Sequence, residues 1–365
     1  MKKNILLIFI FIFSLTLVAC NKKDNTKEGE IIINGTKTFS ANELFQLIDS
    51  KESENITLSN NSLILIDETK QGTYQSIPIS IESYLELVLS WNVKNLGDGQ
   101  ILFLVSIGND NDMSDFFMMA SWKEGNNRSF SSASNEFGTK YIDTITNLDQ
   151  NNDKVILRFV VSPSSNSTIN INNLTVTTKQ NNNEVIFNEN NLINKKLDVP
   201  PLQQLSIPNI GNIICSPTSV AMVLNYYGNN FTQLEVANSV LDKGASIYGN
   251  WTFNASYAGS LDNLFARVEY IHNFDTVINY IKNDIPVIFS ITTKTVEELE
   301  GSIMAFPGGH LIVLIGFEEI DGKWYGIFND PAEHKDELVE RKYSLDQIFK
   351  AWRGYTYIIQ KEVFN

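Results

Sequence analysis

The sequence predicts an α+β protein whose first half is rich in strands and whose second half has a cysteine-bearing helix followed by strands. Short runs of alternating polar and apolar residues fill residues 31–179, and Asn, Gly and Asp clusters separate them. This pattern is typical of an antiparallel β-sandwich. After residue 210 a helical pattern comes first and apolar strands come later, which favours an α+β layout. A chain of 365 residues also favours two domains over one.

Composition and charge exclude several classes of function. The chain has 42 acidic and 28 basic side chains and a net charge of −14, which argues against binding to nucleic acid. It has only 2 Cys and 3 His residues, so few side chains are available as nucleophile, base or metal ligand. We predict no metal site, no cofactor and no intramolecular disulfide in the mature protein.

The N-terminus indicates export and lipid attachment. Lys2 and Lys3 precede the apolar stretch Ile5–Leu17, which is shorter than the roughly 20 residues of a membrane-spanning helix. The segment Leu17-Val18-Ala19-Cys20 resembles the lipobox of bacterial lipoproteins. The resemblance implies a signal peptide at 1–19, cleavage before Cys20 and a diacylglycerol on its sulfur. Residues 20–30 would be a polar tether, and the protein would be extracytoplasmic and anchored to the bacterial membrane.

Residues 31–179 are expected to form the β-sandwich, and the Asn-rich residues 180–196 a linker. A small helix is predicted at Ser40–Ser50. Strands are predicted at Thr57–Asp67, Ser83–Trp91, Gln100–Ile107, Asp153–Val161 and Thr168–Thr177, the last with one slip in its alternation. Five aromatic residues are assigned mainly to the core, although a glycan- or protein-binding platform stays open: Trp91, Phe116, Phe117, Trp122 and Phe137.

A cysteine at the start of a helix is the main feature of the second half. Val220, Val223, Leu224 and Tyr227 recur at helical spacing, and Gly228 supplies a stop. The cap-type residues Ser216 and Thr218 and the first-turn residue Pro217 surround the start of this pattern. Cys215 then lies where unpaired N–H groups and the positive end of the helix dipole favour a thiolate. The alternative is a small buried apolar residue.

The remaining elements of the second half are predicted from the spacing of apolar residues and from residues that start or end helices and strands. Thr232 and Glu235 form a capping box that opens a helix over Thr232–Leu241. Asn250 and Trp251 lie in a predicted loop, where we regard them as substrate-binding candidates. A further helix is predicted at Phe274–Asn283, and strands at Val287–Thr292, His310–Phe317, Trp324–Asn329 and Tyr355–Gln360.

His310 opens a strongly apolar strand and is the candidate base. Gly308 and Gly309 precede it and allow close approach of a backbone or a substrate, so Gly309 is a further substrate-binding candidate. If the following hairpin centres on Ile320, His310 lies opposite Asp330, whereas a turn at 321–322 offsets the two by about three residues. In either register a carboxylate near the ring would fix its tautomer.

These segments together resemble the C39-like branch of papain-type cysteine peptidases, over residues 197–365. The resembling pieces are V-P-P-L-Q-Q, C-S-P-T-S-V-A-M-V-L-N-Y-Y-G, G-N-W-T-F-N, I-P-V-I-F-S-I, G-G-H-L-I-V-L-I-G-F, N-D-P-A and R-K-Y-S-L-D-Q-I-F-K-A-W. The resemblance implies a papain-like fold with Cys215 as nucleophile, His310 as base and then acid, and Asp330 as the orienting residue. Gln204, with Gln203 as the alternative, would complete the oxyanion hole. Asn329 is a weaker candidate for the role of Asp330.

The function predicted from the sequence is therefore a surface-anchored cysteine peptidase that hydrolyses peptide or amide bonds. Its partner would be a peptide or protein substrate, with cell-wall peptide among the candidates. Two alternatives stay open: an acyl or peptidyl transferase with the same triad, and a non-catalytic binding lipoprotein. The presence of all four predicted site residues argues against the non-catalytic alternative.

Overall fold

The structure, a computed structural model, describes residues 31–33, 35–180 and 185–362. The predicted signal peptide, the lipidation site Cys20 and the tether lie outside the described residues. None of the helices in the described part of the chain is long and apolar enough to cross a membrane.

The first half is almost entirely strand. Within its described residues it has one helix, α1 (Ala41–Gln46), which begins at the N-cap Ser40, and the side chains of Ser40 and Glu43 form a capping box. Its strands are β1 (Ile32–Ile33), β2 (Thr36–Ser40), β3 (Ile56–Ser59), β4 (Ser62–Leu65), β5 (Gly72–Gln75), β6 (Ile79–Ile81), β7 (Glu86–Lys94), β8 (Gln100–Gly108), β9 (Phe117–Trp122), β10 (Arg128–Ser129), β11 (Ala133–Ser134), β12 (Gly138–Tyr141), β13 (Thr144–Asn147), β14 (Lys154–Ser162) and β15 (Asn170–Lys179).

These strands form two sheets, antiparallel except for the β1–β6 pair. The first has the order β1-β6-β14-β8-β9-β10, with β5 also on β14, and the second has the order β11-β12-β13-β7-β15-β4-β3, with β2 also on β15. Trp91 of the second sheet stacks on Phe103 of the first with ring centroids 3.8 Å apart, and both rings are buried. The described residues 32–180 are thus all-β apart from α1, as predicted, and the two sheets share an aromatic core.

The second half mixes helices with one sheet. Its helices are α2 (Cys215–Tyr226), α3 (Gln233–Val240), α4 (Trp251–Ser260), α5 (Phe274–Lys282) and α6 (Leu345–Ala351). Its strands are β16 (Lys195–Lys196), β17 (Leu264–Tyr270), β18 (Val287–Ile291), β19 (His310–Ile320), β20 (Lys323–Asn329), β21 (Glu340–Ser344) and β22 (Trp352–Lys361). The α+β prediction is confirmed.

The third sheet has the order β17-β22-β18-β19-β20-β21, and β16 pairs with β19. Its central strands carry almost only buried apolar residues, so both faces are covered, one of them by α2. The β19–β20 hairpin turns at Asp321 and Gly322, both with positive φ, and Ile320 pairs with Lys323. A register shift between Leu314 and Gly316 then reduces the offset between His310 and Asp330 by one residue. The turn at 321–322 is therefore the correct alternative.

The sandwich and the third sheet belong to one compact unit that contains the described residues from Ile32 onward. The joint between them is made by side chains of β7 and β15 that bond to main-chain groups of β17. The Asn92 amide donates to Ala266 O at 2.8 Å and accepts from Ala266 N at 2.9 Å. Val268 N donates to Ser90 Oγ, and Thr177 Oγ1 donates to Val268 O at 2.6 Å. The last two residues of the expected linker form β16.

Two sequence predictions of local structure are wrong. Thr57–Asp67 is a hairpin, β3 and β4, because Asn60 and Asn61 both adopt positive φ and turn the chain. Asn250 and Trp251 do not lie in a loop: Asn250 is the N-cap of α4, its side chain accepts from Phe253 N, and Trp251 is the first helical residue. The slip in the alternation of β15 corresponds to a bulge between Ile171 and Asn173.

Candidate active site

Cys215 is the first residue of α2, as the sequence predicts. The predicted cap residues are used differently: the helix has no side-chain cap, Thr218 Oγ1 bonds back to Ile214 O at 2.8 Å, and Ser216 Oγ contacts the hydroxyl of Tyr357 at 3.0 Å. Ser216 and Thr218 are both buried and have these other partners, so neither hydroxyl competes for the helix N–H groups. The N–H groups at the N-terminal end of α2 therefore remain available to the Cys215 thiol.

The thiol of Cys215 has its ionisation set by several groups at once. Burial raises the pKa of Cys215, but a hydrogen bond and charge from His310, with the N–H groups of Leu311 and Ser216, outweigh it and hold that pKa below its ordinary value. The side chain is not fully covered, since the residue is of intermediate exposure. The thiol is thus activated and still accessible.

His310 joins the thiol to a buried carboxylate. Its Nε2 lies 2.7 Å from Asp330 Oδ1, and both side chains are almost fully buried. Because Nε2 is engaged by the carboxylate, Nδ1 is the nitrogen left for the thiol. Burial opposes the charged ring, yet Asp330 and Cys215 together raise the pKa of His310 to about 10. The three residues form one row, and the pairing favours a thiolate–imidazolium ion pair.

Asp330 is held by donors on two sides. Oδ1 also accepts from Ala332 N at 2.9 Å, and Oδ2 accepts from the hydroxyl of Tyr343 at 2.7 Å. Burial raises the pKa of Asp330, but His310 and these donors outweigh it and the pKa is lowered. Tyr343, on β21, is the part of this row that the sequence analysis did not identify.

Phe306 covers the imidazole. Its ring stacks on that of His310 with centroids 3.9 Å apart and an angle of 12° between the planes. The Phe306 N–H donates to Thr293 Oγ1 at 2.9 Å, which fixes the loop between β18 and β19 over the ring. The stacked ring limits the orientations open to the imidazole and excludes water from one of its faces.

Gln204 lies beside the segment that leads to Cys215. Its Nε2 donates to Gly211 O at 2.7 Å, and its N–H donates to Pro331 O at 2.8 Å in the loop after Asp330. The second N–H of this amide remains for an oxyanion. Gln203 is turned elsewhere, since its Oε1 accepts from Ser206 N. Of the two glutamines, Gln204 is the one whose side chain bonds to the segment before Cys215.

Asn329, the alternative to Asp330, has another role. It is buried, and its Nδ2 donates to Val199 O at 2.9 Å. The imidazole bonds to Asp330 instead, so the geometry favours the carboxylate as orienting residue.

The three substrate-binding candidates lie in different surroundings. Asn250 is buried and its side chain has a structural role, since its Nδ2 donates to Asp242 Oδ2 at 3.0 Å. Trp251 packs against Tyr355, with ring centroids 4.2 Å apart, in a cavity of about 490 Å³. Gly309, with φ of +96°, lies immediately before His310. Trp251 thus lines a cavity and Gly309 adjoins the candidate base, whereas the Asn250 side chain has a structural role.

A row of thiol, imidazole and carboxylate of this kind is the arrangement that recurs in cysteine hydrolases. Within this class, residues 196–359 match the model of the Peptidase_C39 like family. The predicted resemblance is confirmed for this part of the chain, and it supports a cysteine-peptidase type of function acting on a peptide or protein. No curated protein matches the chain.

Solved structures give further likenesses. A C39-like peptidase from Bacillus anthracis is 17% identical, with coverage of 47% of this chain and 100% of that chain and a TM-score of 0.35. A double glycine motif protease from an AMS/PCAT transporter, solved with its leader peptide, is 18% identical, with coverage of 47% and 97% and a TM-score of 0.27. A xylan-binding module from Roseburia intestinalis is 16% identical, with coverage of 40% and 97% and a TM-score of 0.23.

Proposed function

We propose that this protein is a cysteine peptidase that hydrolyses a peptide or amide bond with Cys215, His310, Asp330 and Gln204. The observation that carries the proposal is the row in which His310 bonds to Cys215 on one side and to Asp330, 2.7 Å away, on the other. Such a row supplies an activated thiolate at neutral pH, and a protonated ring beside it.

The chemistry follows from these positions. The Cys215 thiolate attacks the carbonyl carbon, and the resulting oxyanion accepts from the Gln204 amide and the Cys215 N–H, a contribution of about 3 kcal/mol per donor. The imidazolium gives its proton to the leaving nitrogen, the C–N bond breaks and a thioester remains. A water molecule, losing its proton to His310, then attacks the thioester, and the carboxylic acid product and the thiolate are released.

The first experiment is alkylation of Cys215 by iodoacetamide across pH 4 to 9, read by peptide mapping. Trypsin cleaves after Lys196 and Lys243 and so separates Cys215 from Cys20. We expect rapid labelling that persists below about pH 6, because the thiolate is formed well below the ordinary thiol pKa of about 8.5. Labelling that rises only near pH ~8.5 would instead make Cys215 a structural residue and favour a non-catalytic lipoprotein.

The matched variants are Cys215→Ala and His310→Gln. We expect Cys215→Ala to reduce cleavage of a peptide mixture by at least about 10⁴-fold while the protein remains folded, as in other nucleophile deletions. His310→Gln should return the pH dependence of labelling to that of an ordinary thiol. Full cleavage by the alanine variant would refute the proposal.

The location of the enzyme is a second part of the proposal. The Leu17–Cys20 motif supports a lipid anchor that holds the peptidase on the outer face of the bacterial membrane, where cell-wall peptides are among the accessible substrates. Partition of the protein into a detergent phase, compared with its Cys20→Ser variant, tests this. Equal partition of the two proteins would exclude the anchor.

A further inference from the structure

Two cavities share part of their lining at the start of the last strand, β22. The interlobe cavity, about 490 Å³, lies between the sandwich and the third sheet and is lined by Glu86, Lys179, Trp251 and Tyr355, among others. The loop cavity, about 670 Å³, lies under the loop between β18 and β19. Trp352 and Arg353 line both cavities.

Arg353 is placed there by an irregularity of the last strand. Ile291 pairs with Trp352 and Phe289 with Thr356, so β22 has two extra residues where it passes β18. Gly354 takes φ of +82° in this bulge, and a Cβ there would lie 2.4 Å from the Tyr270 ring, so no other residue fits. The bulge directs Arg353 toward Gly309: its Nη1 is 3.5 Å from the position of a Cβ on that glycine. Bulges commonly re-aim a side chain near active sites.

The charges around Arg353 leave its guanidinium available. Glu86 faces the interlobe cavity, but its carboxylate already accepts from the Tyr355 hydroxyl at 2.7 Å and from Lys179 Nζ at 3.4 Å. The loop cavity adds Lys294 and Lys350 against Glu297 and Glu298. Among the described residues, Arg353 has neither an ion pair nor a hydrogen bond from its guanidinium. A strongly acidic protein thus has an available cation beside its candidate catalytic strand.

Two more polar groups in the lining of the loop cavity lack a partner. Within the described chain, Thr292 Oγ1 and Trp352 Nε1 are buried and form no hydrogen bond. Both belong to the same wall as Arg353.

We propose that Arg353, which lines both cavities, binds a carboxylate of the peptide substrate, so that the enzyme prefers peptides with an acidic side chain or free C-terminus near the scissile bond. This inference rests on the proposed function, because Arg353 lies next to Gly309, the residue before the candidate base His310. A guanidinium suits the role because it binds a carboxylate through two parallel hydrogen bonds. The sandwich then forms one wall of the substrate cleft through Glu86 and Lys179.

The test compares alkylation of Cys215 by iodoacetate, an anion, with alkylation by neutral iodoacetamide in the full chain. We expect Arg353→Gln to lower the iodoacetate-to-iodoacetamide rate ratio about twofold at low salt, the effect of one charge at roughly 10 Å in water. Arg353→Lys should keep the ratio, and 1 M salt should erase the difference. Lys51→Gln, a charge lost from the exposed segment between α1 and β3, should change nothing.

A peptide mixture supplies the second measurement. We expect Arg353→Gln and Arg353→Lys to lower cleavage of acidic peptides about tenfold relative to neutral ones, because a lost charge-assisted pair has this order of effect. Amidated peptides distinguish a C-terminal carboxylate from an acidic side chain as the bound group.

The possible outcomes separate the two proposals. If Cys215 labels with the pH dependence of an ordinary thiol, but Arg353→Gln still changes the iodoacetate-to-iodoacetamide ratio at pH 9, the peptidase is refuted and the anion site is retained. Fast labelling at low pH with an unchanged ratio would refute the anion site alone. A changed ratio with unchanged peptide preference would also refute it, and a Cys215 that no reagent labels would refute both.

Discussion

Polar groups are used in opposite ways at two places: the joint between the sandwich and the third sheet, and the loop cavity beside Arg353. At the joint, Asn92, Ser90 and Thr177 satisfy consecutive main-chain groups of β17 with buried hydrogen bonds. At the loop cavity, Thr292 Oγ1 and Trp352 Nε1 have no partner within the described chain.

The contrast separates structural polarity from functional polarity. A buried polar group stabilises a protein only when it is paired, so the paired groups of Asn92, Ser90 and Thr177 help to fix the two halves against each other. Unpaired buried groups near Arg353 add nothing to the stability of the fold and are costly for it. Variants at the joint should therefore change stability, and variants at the catalytic row should change chemistry.

Asn92→Ala should have the largest effect on stability. It leaves the N–H and the C=O of Ala266 without their partner, and each buried main-chain group left unpaired costs about 1–3 kcal/mol, so the free energy of unfolding should fall by about 2–6 kcal/mol. Urea denaturation measures the change. The iodoacetamide rate of Cys215 in the folded variant should stay at the wild-type value. The control Asn42→Ala, on the exposed side of α1, should change stability by less than about 0.5 kcal/mol.

A slow rate at Cys215 in Asn92→Ala would show that the joint also tunes the catalytic row, and the contrast between the two regions would fail.

The pH dependence of stability gives a second test. Between about pH 6.5 and 8.5 the unfolded chain carries a neutral thiol and a neutral ring, and the folded ion pair carries the same single proton. Stability should thus be flat in that window, provided that the lowered pKa of Cys215 lies beneath it. Above pH 8.5 the unfolded thiol ionises, while His310 keeps its proton up to about pH 10, so stability should fall.

Cys215→Ser sharpens this test because serine does not ionise. Asp330, the larger of the two groups that raise the pKa of His310, remains in the variant, so the ring still holds a proton that the unfolded chain has lost. Stability should then fall by up to about 1.4 kcal/mol per pH unit from pH 6.5 upward, until the lower pKa of His310 in the variant is reached. Denaturation of both proteins at four pH values measures the two slopes. Parallel curves for wild type and variant would contradict the ion pair.

Tyr343→Phe should have the smallest effect. The variant keeps the ring but removes the hydroxyl that donates to Asp330 Oδ2, so the carboxylate is held less firmly and its pKa rises toward the ordinary value. We expect kcat/KM to fall about tenfold, with the acid limb of the pH profile moved to higher pH, because a hydrogen bond to a charged group is worth about 1.5–3 kcal/mol.

Tyr325→Phe, on the adjacent strand β20, is the control and should leave the profile unchanged. A Tyr343→Phe variant with lower activity but an unmoved acid limb would make the hydroxyl a packing feature only.

The sequence predicted the features that depend on local order. The predicted capping box at Thr232 marks the start of α3, the small helix predicted from Ser40 is α1, and the cysteine opens α2. The β19–β20 hairpin left two registers open, because a bulge at Leu314–Gly316 has no marker that alternation alone reveals. Asn250 looked like a loop residue since Asn is common in turns, but the same side chain is a good N-cap.

Residues whose role depends on distant contacts were not predictable. Tyr343 reaches Asp330 from a strand that the sequence analysis did not identify, and the position of Arg353 depends on a bulge and on a glycine against Tyr270. Which of Gln203 and Gln204 directs its side chain to the segment before Cys215 was equally open, since the answer depends on a bond to Gly211. Pairings of this kind require the folded chain.

The bonds that Asn92, Ser90 and Thr177 make to β17 have a consequence for solubility. In the third sheet, β17 is an outermost strand, and its outward N–H and C=O groups would otherwise offer a template for a strand of another molecule. The sandwich occupies these groups with side chains, which cannot extend the sheet further. A fragment that lacks the sandwich would expose this edge and be prone to pair with copies of itself, so the first half protects the second from aggregation.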